Sequence, residues 1–255
     1  MKIIDLNCDM GESTGSRKIG DDESIMPFIS SSNIACGFHG GDPMVMHATV
    51  DLAVKHGVAI GAHPSFYDIE GFGRNEIALS KEEIYDLVVY QVSALQGFTR
   101  MGGAELHHVK PHGALYNMAA RIPGYAKAIA SAVRDLDPRL ILYGLSGSEL
   151  IKAGKEMGLR TCSEVFADRT YQDDGSLTPR SRSGAVIHEF EQSLEQVKMM
   201  LEDGRVRTVT GNIISIEAET ICIHGDHEGS ALFAKELNKN LSAAGFVIKA
   251  MDRHE

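Results

Sequence analysis

Acids, histidines, asparagines, serines and arginines recur along this 255-residue chain at one kind of place, the end of a short apolar run. Seven such runs are Asp5–Asp9, Ser32–His39, Val58–His63, Leu106–His112, Leu140–Ser146, Thr161–Arg169 and Thr220–Asp226. Side chains alternate along a strand, so His108, Lys110 and His112 share one face if their run stays extended, with Val109 and Pro111 turned away toward a helix layer. Ionisable groups on one face are costly against an apolar core but tolerable at a barrel mouth, where water, metal or substrate can satisfy them. Pro111 suits a strand that is ending, because it removes a ladder donor. Asp9 closes the first run with Glu12 three residues on, a spacing that also fits a helix cap. His39 sits among Gly37, Gly40 and Gly41, which permit close approach, and His63 is held extended by Pro64. His224 and Asp226, two apart, share a face. Any one histidine is more often structural than catalytic; five strand ends agreeing on His or Asp are hard to explain as packing.

Two chemistries suit such a ring. In one, Asp9 with two histidines makes a facial metal site with open positions, and the metal acidifies a water. In the other, a carboxylate or imidazole activates water directly while Lys110 stabilises an oxyanion or a phosphate. His108 and His112 have a ligand-like spacing, yet on an extended strand they stand about 13 Å apart. His107 should point away from His108 toward a helix-layer partner, and His47, His56, His188 and His254 read as surface groups. The segment 168–184, polar and carrying Arg169, Arg180 and Arg182, reads as a lid or binding loop or as a plain surface loop. No Gly-x-Gly-x-x-Gly or Gly-x-x-x-x-Gly-Lys-Ser/Thr is present, so no phosphate-binding loop is legible.

Helical signals separate the runs. Asp42-Pro43 starts a helix that Gly57 ends, and Ser80-Lys-Glu-Glu83 has capping-box spacing ahead of Ile84, Leu87, Val88, Gln91 and Leu95 on one face. Further helices are expected over 125–136, 147–157, 189–201 and 230–244, and a small hairpin over 205–217. Strands alternating with helices imply right-handed βα units and a mostly parallel sheet. Seven units could close as an incomplete or distorted barrel, with one rim site at the strands' carboxyl ends and a single domain over 1–255. A net charge of −10 and a pI near 5.6 argue against nucleic acid and anionic membrane as partners. No apolar stretch approaches membrane length and no signal pattern opens the chain. Cys8, Cys36, Cys162 and Cys222 lack metal spacing and read as buried thiols of a cytoplasmic protein.

The blocks Asp5-Leu-Asn-Cys-Asp-Met-Gly-Glu12, Ser32–Pro43, Gly61-Ala-His-Pro-Ser-Phe66, Gly71-Phe-Gly-Arg74, Val109–Asn117, Glu164-Val-Phe-Ala-Asp-Arg169 and Cys222-Ile-His-Gly-Asp226 are similar to those of the LamB/YcsF family, in the family's order and over nearly the whole chain. The resemblance implies a (β/α)7-type barrel related to glycoside hydrolases and polysaccharide deacetylases. It implies one part, the A subunit, of an ATP-hydrolysing 5-oxoprolinase, which converts 5-oxo-L-proline to L-glutamate with subunits B and C. ATP would be consumed by the complex and held on those partners, leaving this chain to hydrolyse the activated ring. Asp9 or Asp226 is then expected as base, Lys110 and His112 as oxyanion or phosphate stabilisers, and His39 and His63 as substrate or metal contacts. Asn7, Arg74, Arg169, Arg180 and His224 are expected to bind substrate. Deacetylase kinship suggests Asp9, His63 and His112 as ligands of a divalent metal. The alternatives are a stand-alone metal-dependent deacetylase or amidohydrolase, and a non-catalytic subunit of a lactam-utilisation complex.

Overall fold

Strand and helix alternate as the apolar runs require. The computed structural model describes residues 2–15, 17–225 and 229–253. The strands are β1 (Lys2–Met10), β2 (Ser31–Ala35), β3 (Ala59–His63), β4 (Leu106–Val109), β5 (Ile141–Leu145), β6 (Thr161–Phe166), β7 (Arg205–Arg207), β8 (Ile213–Ser215), β9 (Thr220–Ile223) and β10 (Phe246–Ile248). The helices are α1 (Asp22–Ile25), α2 (Pro43–His56), α3 (Lys81–Met101), α4 (Gly113–Arg121), α5 (Pro123–Leu136), α6 (Glu149–Glu156), α7 (Phe190–Asp203) and α8 (Ser230–Ala243). β1 to β6 pair in order, β6 pairs β9, and β9 pairs β1 again, so seven parallel strands close on themselves. β10 extends the amino end of β1 in parallel, and β7 and β8 form the expected antiparallel hairpin.

Local chemistry sets the helix ends. The Asp42 carboxylate accepts from the Met44 and Val45 amides at the start of α2, and Gly57, with φ of +66°, ends it in the left-handed region. Ser80 and Glu83 complete a reciprocal capping box on α3. No helix begins at Asp9–Glu12: β1 continues to Met10, and α1 starts later, capped by Asp21. Helix α4 is not legible in the sequence, because His112 makes no side-chain cap and only Ile122 separates α4 from α5.

The two faces of the barrel wall differ in kind. Leu6, Cys8 and Met10 of β1 point outward into the apolar core shared with the helices. The intervening Asp5, Asn7 and Asp9 point into the lumen, which is filled by hydrogen-bonded polar groups. At the bottom, the Asp5 carboxylate accepts from Ser30, Ser31, Tyr143 and Thr220. Burial nevertheless outweighs those bonds and raises its pKa. One level up, Asn33 Nδ2 donates to Asn7 and Asp9, and the Asn33 Oδ1 lies 2.9 Å from His108 Nε2. The His108 ring stacks on Tyr143. His107 bonds to no helix: its Nε2 is 2.8 Å from the Met251 carbonyl, in the segment that packs Met251 under Ile141, Tyr143 and Cys162. All four cysteines are buried and free.

Gly61 makes this stacking possible, since a Cβ there would lie 2.0 Å from His108 Nε2. Gly61→Ala should therefore lower unfolding free energy by about 1–3 kcal/mol, the scale of overpacking, as measured by urea denaturation. Asp22 Oδ2 accepts from the Gly11 amide, and burial pushes its carboxyl from 3.8 up to about 6. Between those values the unfolded chain sheds the proton first, so stability falls as pH rises through the window. Asp22→Asn should be less sensitive to that pH rise than the native chain by about 1–3 kcal/mol, read from denaturation curves at pH 4 and pH 7.

Candidate functional site

The carboxyl ends of the barrel strands converge on a buried ammonium. Lys110 Nζ lies 2.8 Å from Glu164 Oε1, 2.9 Å from Asp9 Oδ1, 3.1 Å from Asn7 Oδ1 and 3.1 Å from Cys222 Sγ. Glu164 is held in turn by Asn7 Nδ2 and by the Tyr116 hydroxyl at 2.6 Å. Burial favours a neutral lysine, but Asp9, Cys222 and Glu164 outweigh it and keep Lys110 well above the usual range. Burial also pushes the Cys222 thiol well up, so the negative charge around Lys110 belongs to the carboxylates. Asp9 is opposed by burial yet held well below the carboxylate range by His63 and Lys110. Lys110 is thus a fixed cation, and Asp9 a fixed anion with both oxygens engaged.

Beside Asp9 stands a histidine cluster. His63 Nδ1 is 2.7 Å from the Lys110 carbonyl, and His112 Nε2 is 2.9 Å from the Phe72 carbonyl. A carbonyl only accepts, so both of these nitrogens carry protons. The remaining nitrogens, His63 Nε2 and His112 Nδ1, face each other at 2.9 Å, and Asp9 Oδ2 stands 3.2 Å from His63 Nε2. Burial, followed by His63, holds His112 well below the imidazole range, so its ring is neutral and its Nδ1 is a lone pair. Two lone pairs and a carboxylate oxygen at these distances need a positive charge among them. Each imidazole also gives its other N–H to a backbone oxygen, as metal-bound histidines do.

A divalent cation fits this donor set. Ligand atoms of Glu12, His39, His63 and His112 all lie within 4.8 Å of one another. The His63 and His112 rings meet at 74°, so their lone pairs converge. His39 differs, because its ring is stacked on His112 at 3.8 Å and 8° and its lone pairs run in a parallel plane. Distance alone would make His39 a ligand; ring direction favours His63 and His112, and Asp9 Oδ2 is the carboxylate oxygen beside His63 Nε2. His39 Nδ1 bonds Ser65 Oγ at 2.8 Å, and its Nε2 faces Glu12 Oε1 at 3.4 Å. The Phe72 carbonyl reaches His112 because Phe72 takes a left-handed φ of +55°, the one non-glycine positive φ among the described residues. Such strain costs about 1–3 kcal/mol and clusters at sites where geometry is imposed.

Above this floor lies a cavity of about 600 Å³. Asp9, Glu12, His63, Lys110 and His112 line its base, and residues 172 and 174–181 of the long polar loop form a wall, so that segment is a binding-loop candidate. Arg74 and Arg180 face the cavity, Arg74 with its guanidinium over the Phe72 ring. Arg169 also lines it, but its Nε and Nη2 donate to the Ala185 and Thr178 carbonyls and so tie the loop down. Burial and then Arg180 lower its pKa to about 10. His224 Nδ1 lies 2.9 and 2.8 Å from the two oxygens of buried Asp168. Burial opposes ionisation of Asp168, but His224, Arg180 and Arg169 keep its pKa lowered.

The structure therefore brings Asp9, His39, His63, Lys110, His112 and His224 to one end of the barrel. Asn7 lies a layer below, supporting Lys110 and Glu164 without lining the cavity. Asp226 lies outside the described residues. Sequence reasoning passed over Glu164, Asp168, Tyr116 and Phe72 as site groups. The alternation Cys162, Glu164, Phe166 could have placed Glu164 in the lumen; Tyr116 and Phe72 act from segments whose path no periodicity shows.

Fold and site together define a closed seven-stranded α/β barrel whose carboxyl-end cavity carries histidines, acids and a buried lysine. A model of the LamB/YcsF family matches residues 4–255. Among curated relatives, the 5-oxoprolinase A subunit of Geobacillus kaustophilus is 58% identical over 255 residues, spanning 100% of this chain and 99% of that protein. That of Tolumonas auensis is 57% identical over 251 residues, 98% of this chain and all (100%) of that one. The crystal structure of a lactam utilization protein from Thermus thermophilus superposes with a TM-score of 0.92 at 44% identity, covering 98% of this chain and 100% of that one. The catalytic domain of a peptidoglycan N-acetylglucosamine deacetylase from Eubacterium rectale shares the fold alone, with a TM-score of 0.52 at 12% identity over 98% of this chain and 89% of that one. This chain belongs to the LamB/YcsF family. Among the described residues no helix is long and apolar enough to cross a membrane.

Replacing Lys110 tests the hub. Lys110→Met strands two buried carboxylates, and removing one partner of a buried ion pair costs about 3–5 kcal/mol. Chemical denaturation should show that loss, and Glu164→Gln in the same chain should restore part of it.

Proposed function

We propose that this chain is the A subunit of a 5-oxoprolinase and opens the activated ring of 5-oxo-L-proline to give L-glutamate. It would do so in a cytoplasmic, ATP-hydrolysing complex with subunits B and C, which hold the ATP. The observation that carries this reading is the cavity itself, whose lining combines arginines with histidines and carboxylates. A lactam carbonyl is a poor electrophile; transfer of a phosphoryl group to its oxygen on one of the partners makes the ring carbon open to water. The product of that transfer is a small anion, which Arg74 and Arg180 suit.

In this site Asp9, kept ionised by Lys110 and His63, supplies a fixed negative charge beside the reacting carbon. Lys110 orients Asp9, since its donors are taken by Asp9, Glu164 and Asn7. Glu12, 3.8 Å from His112 Nδ1 on the cavity wall, accepts the proton of the attacking water. His39 Nε2 stands 3.4 Å from Glu12 Oε1. A divalent cation bound by His63, His112 and Asp9 would supply Lewis acidity at this point.

The reading is tested by glutamate release from 5-oxoproline with this protein, subunits B and C and ATP. Glutamate should form only with all components present, and its absence then would sink the assignment. Glu12→Gln should lower turnover about 10²-fold or more, the scale of a general base. For the cation, the purified chain should take up about one equivalent of cobalt(II) with ligand-field absorption bands, lost in His63→Gln and His112→Gln. A chain that binds no cobalt(II), zinc or manganese at millimolar concentration removes the metal from the proposal and leaves a proton on His63 in its place.

A further inference from the structure

Resting on that reading, we propose that Asp168 and His224 are the proton-delivery pair of the ring opening: His224 gives the departing ring nitrogen its proton, and Asp168 is the positioning residue that holds the imidazole for it. The pair is a product of strand register. β6 and β9 are neighbours with Phe166 opposite Cys222, so two residues further on Asp168 stands beside His224. The contact is two-pronged, 2.9 and 2.8 Å from Nδ1 to the two carboxylate oxygens. An ionised carboxylate only accepts, so Nδ1 carries the hydrogen and Nε2 is left to exchange protons. Asp168 is 4% exposed, which makes the contact persistent, and the Phe166 ring stacks against the imidazole at 5.7 Å and 20°. His224 lines the cavity, with a ring nitrogen within 4.8 Å of an Asp9 carboxylate oxygen.

The placement divides the site into two sides. His63, His112 and Glu12 lie on one side of Asp9, where water is activated, and His224 is a separate group in the same cavity, bound to none of them. Breaking the ring needs such a second group. After water adds to the ring carbon, the adduct carries a hydroxyl, the phosphorylated oxygen and the ring nitrogen. Cleavage moves the C–N electron pair to nitrogen, which must take up a proton because an amide anion is too basic to leave. His224 Nε2–H supplies it, and the hydroxyl oxygen becomes the carbonyl as its proton passes to Glu12, which has by then released the proton of the attacking water to solvent; His224 is reprotonated from solvent. The carbon is left as the acyl phosphate of glutamate, and a second water attacks it, expels phosphate and completes the carboxylate. Without the pair, the adduct can still fall apart by expelling phosphate, which regenerates the lactam with the oxygen of the added water in its carbonyl.

That branch gives a readout a merely structural role would not move. His224→Gln and Asp168→Asn, each checked for a native melting transition, are assembled with subunits B and C and supplied with ATP, 5-oxoproline and 18O-water. Glutamate release should fall about 10²-fold or more for His224→Gln and at least tenfold for Asp168→Asn, while recovered 5-oxoproline gains 18O in step with ATP consumed. Unchanged glutamate release, or loss of glutamate without 18O in the lactam, in a variant that melts as the native chain does, overturns the proposal. If the native complex itself makes no glutamate, the 5-oxoprolinase reading is what has failed.

Discussion

The ammonium of Lys110, buried between the carboxylates of Asp9 and Glu164, is the charge around which the upper barrel is arranged. Its partners come from different strands: Asn7 and Asp9 from β1, Glu164 from β6 and Cys222 from β9. An ion this deep is tolerable only when its donors are all satisfied, which requires these strand ends to stand at one height. The same contacts keep Asp9 ionised, and ionised Asp9 is what makes the facing lone pairs of His63 and His112 a site for positive charge. The dependence runs from a lysine at the base of the cavity to the reactive groups around it.

The lumen explains how a seven-stranded barrel holds its shape around such a charge. Barrels of this class are more often filled by branched apolar side chains. Here layers of Asp5, Asn7 and Asp9 are bonded to hydroxyls, amides and an imidazole from strands across the lumen. Hydrogen bonds are directional where apolar packing is not, so a shift of one strand would leave several groups unpaired at about 1–3 kcal/mol each. Gly61, which leaves room for the His108 ring, and Tyr143, which reaches Asp5 from β5, belong to that specification. Most of the apolar stabilisation lies outside the lumen, between the strands and the helices.

Much of this is legible in the order of the amino acids. Strand positions follow from apolar runs with polar ends, and the boundaries of α2 and α3 from Asp42-Pro43, Gly57 and the Ser80–Glu83 box. The rim residues Asp9, His39, His63, Lys110, His112 and His224 are visible as strand-end groups. Illegible are the partners that give them chemical roles. Glu164 reads as one acid within a strand, Asp168 as the start of a polar loop, and Phe72 as an aromatic between glycines. Helix α4, which carries Tyr116, has no capping signal, and His107 meets the C-terminal segment where a helix partner was expected.

The sequence by itself determined periodicity, polarity and chain order, and these are enough for a parallel α/β barrel with its chemistry at one end, because side-chain alternation and handed crossovers are local consequences of the backbone. Tertiary structure alone decided which nitrogen of each histidine is free, which carboxylates stay charged, and which groups share a cavity. Those properties depend on contacts between residues up to about two hundred positions apart, such as Asn7 with Thr220. They also depend on burial, which alters the energy of a charge far more than any neighbour in the chain can.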